Sequence, residues 1–270
     1  MQILTLACAL AVVTPLALIF FHLLKSGIGA LNLEFFTHLP SPVGEVGGGM
    51  ANAIVGSAVL LGLASAIGIP LGIGAGIYLA EFGRGTKLAY AVRFTADVLN
   101  GVPSIVMGLA AFSLVVVPQG HYSAMAGGVA LGIMMVPTIC RTTEEMLLMV
   151  PHAVREAALG LGVPNWRSVL SITVKTASPG IITGCMLAFA RVAGETAPLL
   201  FTALGNQFWS TSLNEPIAAL PLQIYVYALS PYDEWHRLAW AGSLVLIVLI
   251  VLSVSLVRYV TSRGVLKGTS

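Results

Sequence analysis

Charge is what this sequence has least of. Its 270 residues carry 13 Lys and Arg and 11 Asp and Glu, 9% of the chain, while 57% is hydrophobic; soluble domains hold about one charged residue in four. With a mean hydropathy of +0.93, there is too little polar surface to coat a water-soluble globule. A net charge of +2 provides no basic face large enough for nucleic acid, and the disordered and collagen-like classes drop out as well. Cysteine is also scarce. Cys8, Cys140 and Cys185 each lie in an apolar stretch, too few and too scattered for a disulfide framework or a zinc site, and read as small core residues. His22, His38, His121, His152 and His236 form no His-x-x-x-His pair, so no metal site is expected. No Gly-x-x-x-x-Gly-Lys-Ser/Thr phosphate loop occurs anywhere, so any ATP-derived energy must come from a partner.

What is present is a series of long uncharged runs. A hydrocarbon layer of ~30 Å at 1.5 Å per residue takes about 20 helical residues to cross. Residues 1–24, 46–80 and 238–257 are uncharged, and the uncharged run 98–140 is interrupted by Pro118-Gln119-Gly120-His121, so it holds two spans. Residues 179–203 form a sixth region, apolar except for Arg191 and Glu195. The expectation is an all-α polytopic membrane protein with six transmembrane helices. The first run lacks the basic start of a signal peptide and is longer than its apolar core, so it reads as a true helix.

Orientation follows from the basic residues. Arg84, Lys87, Arg93, Arg141, Arg155, Arg167, Lys175, Arg258, Arg263 and Lys267 fall on one side, and of the 13 only Lys25 and Arg237 fall on the other. Both termini are therefore expected in the cytoplasm. The long segments on the far side carry Phe35, Phe36, Trp209, Tyr225, Tyr227 and Trp235. Individually these read as an interfacial aromatic belt; as a set they are also suited to a docking surface. The expected division is a first transmembrane helix at 1–25, an extracytoplasmic segment at 26–49, a five-helix permease-like domain at 50–258 and a cytoplasmic tail at 259–270. The Gly68, Gly72 and Gly76 spacing marks close helix packing, and Pro103 with Ser104 marks an expected helix break.

The cytoplasmic segment 141–178 is the least membrane-like part of the chain. It reads as two short helices, one beginning after Pro151, a stop at Gly162 with Pro164 beyond it, and a second near Asn165. Helix, glycine turn and helix make a knob suited to a partner's groove. Glu156-Ala157-Ala158, with Gly162 four positions later and Ile172 ten beyond that, is similar to the EAA loop of ATP-binding-cassette (ABC) importer permeases, the segment that docks on the ATPase subunits. The runs Gly74-Ala75-Gly76-Ile77-Tyr78-Leu79-Ala80-Glu81-Phe82-Gly83, Val102-Pro103-Ser104-Ile105-Val106-Met107-Gly108-Leu109 and Ala190-Arg191-Val192-Ala193-Gly194-Glu195-Thr196-Ala197-Pro198 resemble permeases of the phosphate-specific transport (Pst) system, PstA type. One departure is Val174-Lys175 where the generic loop has Leu-Pro.

That resemblance implies a type I ABC importer permease (MetI-like) fold, with Glu156, Ala157, Ala158, Gly162 and Ile172 as the ATPase-coupling set. It implies a second homologous permease, two ATPase subunits that bind ATP and Mg2+, an extracytoplasmic phosphate-binding protein, inorganic phosphate and membrane lipid as partners. No cofactor is expected in this chain. An arginine at mid-membrane costs about 3 kcal/mol on insertion scales, so Arg191 needs protein or water around it. Gly184, Ala188, Arg191 and Glu195 are expected on one helix face, with Arg191 offering a planar fork of donors to an oxyanion. Glu195 either holds that fork or accepts a hydrogen bond from protonated phosphate, and a neutral packing pair is the alternative. Arg141 is a further pathway candidate, although a basic residue at a helix end is also what orientation alone predicts. Rival functions are a permease for sulfate or molybdate and a self-contained ion-coupled carrier or channel.

Overall fold

The structure is a computed structural model that describes residues 1–42, 45 and 47–267; Val46, where the second uncharged run begins, and residues 268–270 of the expected tail lie outside the described residues. Helices account for most of it, and no strand occurs among the described residues beyond an isolated bridge between Leu204 and Ile217. The helices are α1 (Gln2–Gly27), α2 (Leu33–Thr37), α3 (Ala51–Ile77), α4 (Lys87–Gly101), α5 (Ser104–Ala111), α6 (Val117–Gln119), α7 (Ala124–Leu148), α8 (His152–Gly160), α9 (Asn165–Ser168), α10 (Val174–Ala193), α11 (Ala197–Thr202), α12 (Leu220–Ala228) and α13 (Asp233–Lys267). The π-helical turns Tyr78–Phe82, Phe112–Val116 and Val169–Thr173 prolong α3, join α5 to α6 and join α9 to α10.

Five helical stretches are long and apolar enough to cross a membrane: Leu4–Ala30, Ala51–Phe82, Ala124–Leu148, Asn165–Ala193 and Asp233–Thr261. A bent pair, Lys87–Gly101 with Ser104–Gln119, turned by 112°, brings the number of candidate crossings to six when it is counted as one span. Residues 98–101, expected inside the third span, instead close α4, because Pro103 has no amide hydrogen and forces Val102 out of the helical region to φ −71°, ψ 132°. The fifth span differs more. It was expected over 179–203, after a short second loop helix, but one helix runs unbroken from Asn165 to Ala193, with Pro179 inside it. Its end is set by Gly194, after which α11 starts a new direction.

The core is built on α3 against α7. Gly68, Gly72 and Gly76 recur every four residues, and a Cβ added at each would lie 2.8, 2.7 and 2.5 Å from the Cβ of Met135, Ile139 and Thr143, respectively. Where lipid rather than water surrounds a helix, such close backbone approach supplies the dispersion contact that holds it to its neighbour. Replacing Gly72 with leucine is expected to lower stability by about 1–3 kcal/mol through overpacking. Gly74→Ala, with nothing within 4 Å of its added Cβ, is expected to be neutral. Thermal unfolding of both variants in mild detergent checks the difference.

Helix α10 also packs on α7, running in the opposite direction: Gly180 meets Met146 and Gly184 meets Thr142. At the end away from α8, Ser57 Oγ accepts from the buried Leu220 amide at 2.7 Å, and Asn52 Nδ2 donates to the Asn206 carbonyl at 2.8 Å. These bonds fold residues 203–220 back onto the helix ends. The aromatic belt expected there is partly core. Phe35 and Tyr227 are buried in one cluster with Met50 and Leu238, and Tyr227 stacks on Trp235 with centroids 4.6 Å apart.

Candidate functional site

The knob forms at the end where α7 leaves the core. Pro151, with φ −58°, opens α8 without spending an amide that would have no partner. Gly162 closes it at φ +78°, a conformation that strains any side chain, and its amide donates to the Leu159 carbonyl at 2.9 Å. Of α8's residues only Ala158 is buried; Glu156 and Ala157 are exposed. Leu161 at 85% and Trp166 at 61% exposure stand beside them, and Ile172 is half-buried in the π-helical turn behind. An exposed leucine and tryptophan on a polar loop make an apolar face that water does not favour. Arg155 turns the other way, into the protein, where it pairs with Glu81 at 2.8 Å.

Nearer the centre lies a four-charge assembly that orientation counting did not anticipate. Arg93 Nε donates to Glu144 Oε1 at 2.6 Å, Arg141 donates to Glu144 Oε2 at 2.6 Å, and Arg141 Nε lies 3.0 Å from Asp97 Oδ1. Two arginines and two carboxylates cancel, so α4 is fastened to α7 without net charge. Glu144 is the keystone, with a side chain 3% exposed, while the Asp97 side chain is 56% exposed. The sequence did carry a signal: Arg93 and Asp97 are spaced i, i+4 and Arg141 and Glu144 i, i+3, each at helical spacing beside an uncharged run. Arg141 is thus already engaged by two carboxylates.

Arg191 sits in the last turn of α10, exposed on the surface of this chain. Its level follows from the α7 contacts. If the Gly180–Met146 and Gly184–Thr142 register continues at equal rise, Arg191 is level with Met135, near the middle of α7. The expected face of Gly184, Ala188, Arg191 and Glu195 loses its last member, because the helix stops at Ala193 and Glu195 lies in the turn before α11. Gly184 and Ala188 are buried, whereas Arg191 is not. Neither Arg191 nor Glu195 has a side-chain hydrogen bond or ion pair among the described residues. Pro103 and Ser104 lie at the 112° bend. Beyond it α5 packs on α11, where a Cβ on Gly108 would approach Pro198 Cα to 2.7 Å. The bend therefore positions α5 against the segment that follows Arg191. Among the described residues no cluster of three metal-ligating side chains occurs.

Comparison with known proteins places these features in a wider group. Residues 68–264 match the family described as binding-protein-dependent transport system inner membrane component. The phosphate transport system permease protein PstA of Yersinia pestis is 50% identical over 245 residues, spanning 91% of this chain and 83% of that protein. A probable phosphate transport system permease protein PstA of Methanocaldococcus jannaschii is 35% identical over 254 residues, spanning 94% of this chain and 89% of that protein. Among solved structures, an inward-facing MetNI methionine ABC transporter chain superposes with a TM-score of 0.62 at 21% identity, covering 80% of this chain and 95% of that one. That likeness shows the fold, with several apolar helices in a multi-pass membrane arrangement.

Proposed function

The chain belongs to the family of binding-protein-dependent transport system inner membrane components, as the match over residues 68–264 and the identity to PstA proteins show, and from that premise we propose that it is the permease subunit of an ATP-driven phosphate importer. In this reading it carries out no covalent chemistry. It lies in the bacterial inner membrane with both termini cytoplasmic, paired with a second homologous permease whose helices complete the pathway. Two ATPase subunits bind ATP and Mg2+ and receive the knob of Glu156, Ala157, Ala158, Gly162 and Ile172. An extracytoplasmic phosphate-binding protein delivers inorganic phosphate at the opposite end.

The observation that carries this reading is the unbroken helix Asn165–Ala193. It starts in the exposed knob beside Trp166 and ends two residues after Arg191. Force applied to the knob therefore reaches Arg191 through one hydrogen-bonded rod. In the pathway, Arg191 contributes a planar donor fork that matches two oxygens of phosphate, and its unpaired state leaves that fork free. Glu195, one turn further in sequence but off the helix, limits the attraction so that the anion leaves again, and accepts a hydrogen bond from protonated phosphate, which sulfate cannot donate. Arg141, held by Asp97 and Glu144 at the next level inward, keeps a positive edge on the route. Pro103 and Ser104 make the bend that lets α5 brace the end of the pathway.

The test is reconstitution of the full complex in vesicles with the binding protein outside and ATP at the ATPase side. Radiolabelled phosphate is expected to accumulate only with hydrolysable ATP. Import at the same rate without ATP would overturn the ATPase-coupled reading in favour of a self-contained carrier. Sulfate or molybdate transported in preference to phosphate would overturn the assignment of substrate.

A further inference from the structure

The coupling knob is joined to the membrane helices by chain continuity at two places: through Val150 and Pro151 to α7, and through Gly162 to Pro164 to the helix that begins at Asn165. Neither connection reaches α3. Among the described residues, the polar link from α8 to the π-helical turn that prolongs α3 is one side chain. Arg155, on α8 immediately before Glu156, lies with an Nη nitrogen 2.8 Å from Glu81 Oε1, and the same guanidinium donates to the Leu147 carbonyl at 2.6 Å. Glu81 stands in the π-helical turn Tyr78–Phe82 that ends the second span. One guanidinium thus ties together α8, the end of α3 and the end of α7. Among the described residues no other ion pair or side-chain hydrogen bond links α8 to α3.

The pair is nearly sealed from water, with side chains 12% and 9% exposed. Arg155 Nε and Glu81 Oε1 have no hydrogen-bond partner, so beyond the bond from Arg155 to the Leu147 carbonyl the contact is held by charge. Removing one partner would leave the other buried and uncompensated, so the two have strong reason to stay together while α8 moves. Since Ala158 is the only buried residue of α8, little else restrains the helix against α3.

We propose that Arg155 and Glu81 form a permanent clasp through which movement of the coupling knob drives the second span, by a route separate from the continuous helix that ends near Arg191. Both are positioning residues that act on transport through the helices they join. The inference rests on the ATP-driven phosphate import proposed above. A knob linked only to the fifth span would move α10 against α7 and leave α3 behind; a knob clasped to α3 moves the second and fifth spans together.

The test uses the assembled complex in vesicles, in a Cys8→Ser background because Cys8 is the exposed native cysteine, and reads phosphate imported per ATP hydrolysed. Glu81→Cys combined with Arg155→Cys is expected to lower that ratio by about tenfold, within the usual range of coupling between sites, and a short bis-maleimide bridging the two cysteines is expected to restore it. The proposal is overturned if the unbridged variant keeps the wild-type ratio. It is equally overturned if bridging arrests transport, since α8 and α3 would then have to separate during the cycle. Should the cysteine pair block co-purification with the ATPase, Glu81→Gln carries the same measurement, and a wild-type ratio there sinks the clasp. Failure of the wild-type complex to import phosphate with ATP is a separate result, which bears on the proposed function alone.

Discussion

Arg191→Gln is expected to reduce phosphate uptake by about a hundredfold while the subunit still assembles with its partners. The two halves of that expectation have different physical sources. Charge-assisted hydrogen bonds contribute about 1.5–3 kcal/mol each, so loss of the charge and of the bidentate fork accounts for roughly two orders of magnitude in the interaction with an anion. Stability should hardly change, because Arg191 is exposed on this chain and has no side-chain partner that its removal would orphan. Arg191→Lys should fall between the two, keeping a point charge but losing the fork. Uptake of labelled phosphate and co-purification of the complex check both halves. Normal uptake by the glutamine variant would reduce Arg191 to a cation at a helix C-terminus, favourable to the helix dipole by only about 0.3–1 kcal/mol.

The second large effect is expected at Glu144. Its carboxylate accepts from Arg93 and Arg141, each at 2.6 Å, and it is the most buried of the four charges. In Glu144→Gln one amide oxygen can still accept from one arginine, but the amide NH2 then faces the other guanidinium, donor against donor. Breaking a buried charge pair costs about 3–5 kcal/mol, and the lower end applies here because both arginines are about one-third exposed. Asp97→Asn removes only a contact at the wet edge of the assembly and is expected to cost less than about 1 kcal/mol. Thermal unfolding in detergent should therefore rank Glu144→Gln far below Asp97→Asn. Equal small losses from both would mean that solvent, not Glu144, neutralises the arginines.

The level at which each feature was legible in the sequence depends on how local its cause is. The hydrophobic runs are set by composition alone, and five of the six expected crossings appear as long apolar helices, the other as the bent pair. The break at Val102 follows from a single proline and needs no tertiary partner. The end of the fifth helix did not: Arg191 and Glu195 have helical spacing, and only the direction change at Gly194 separates them. The start at Asn165 was legible from Pro164, but its continuation was not: the polar loop composition reads as a short helix, and the π-helical turn Val169–Thr173 carries it through into the fifth span instead. The four-charge assembly was half visible. Its two halves obey helical spacing, but their meeting depends on α4 folding back through the 112° bend. Glu81 and Arg155 gave no local sign at all, since 74 positions separate them and only the packing of α3, α7 and α8 closes that distance.

The contact of Gly180 and Gly184 with α7 has a mechanical consequence. It lies part-way along the Asn165–Ala193 helix, about 26 Å from the Asn165 end and about 14 Å from Arg191 at 1.5 Å per residue. Close packing of small residues there against Met146 and Thr142 makes that region the natural fulcrum of the rod. A swing of the outer end then arrives at Arg191 reversed in direction and about halved in amplitude, with force raised in the same proportion. In the proposed importer, a large, soft movement of the knob would thereby be geared down to a small, firm displacement of one guanidinium.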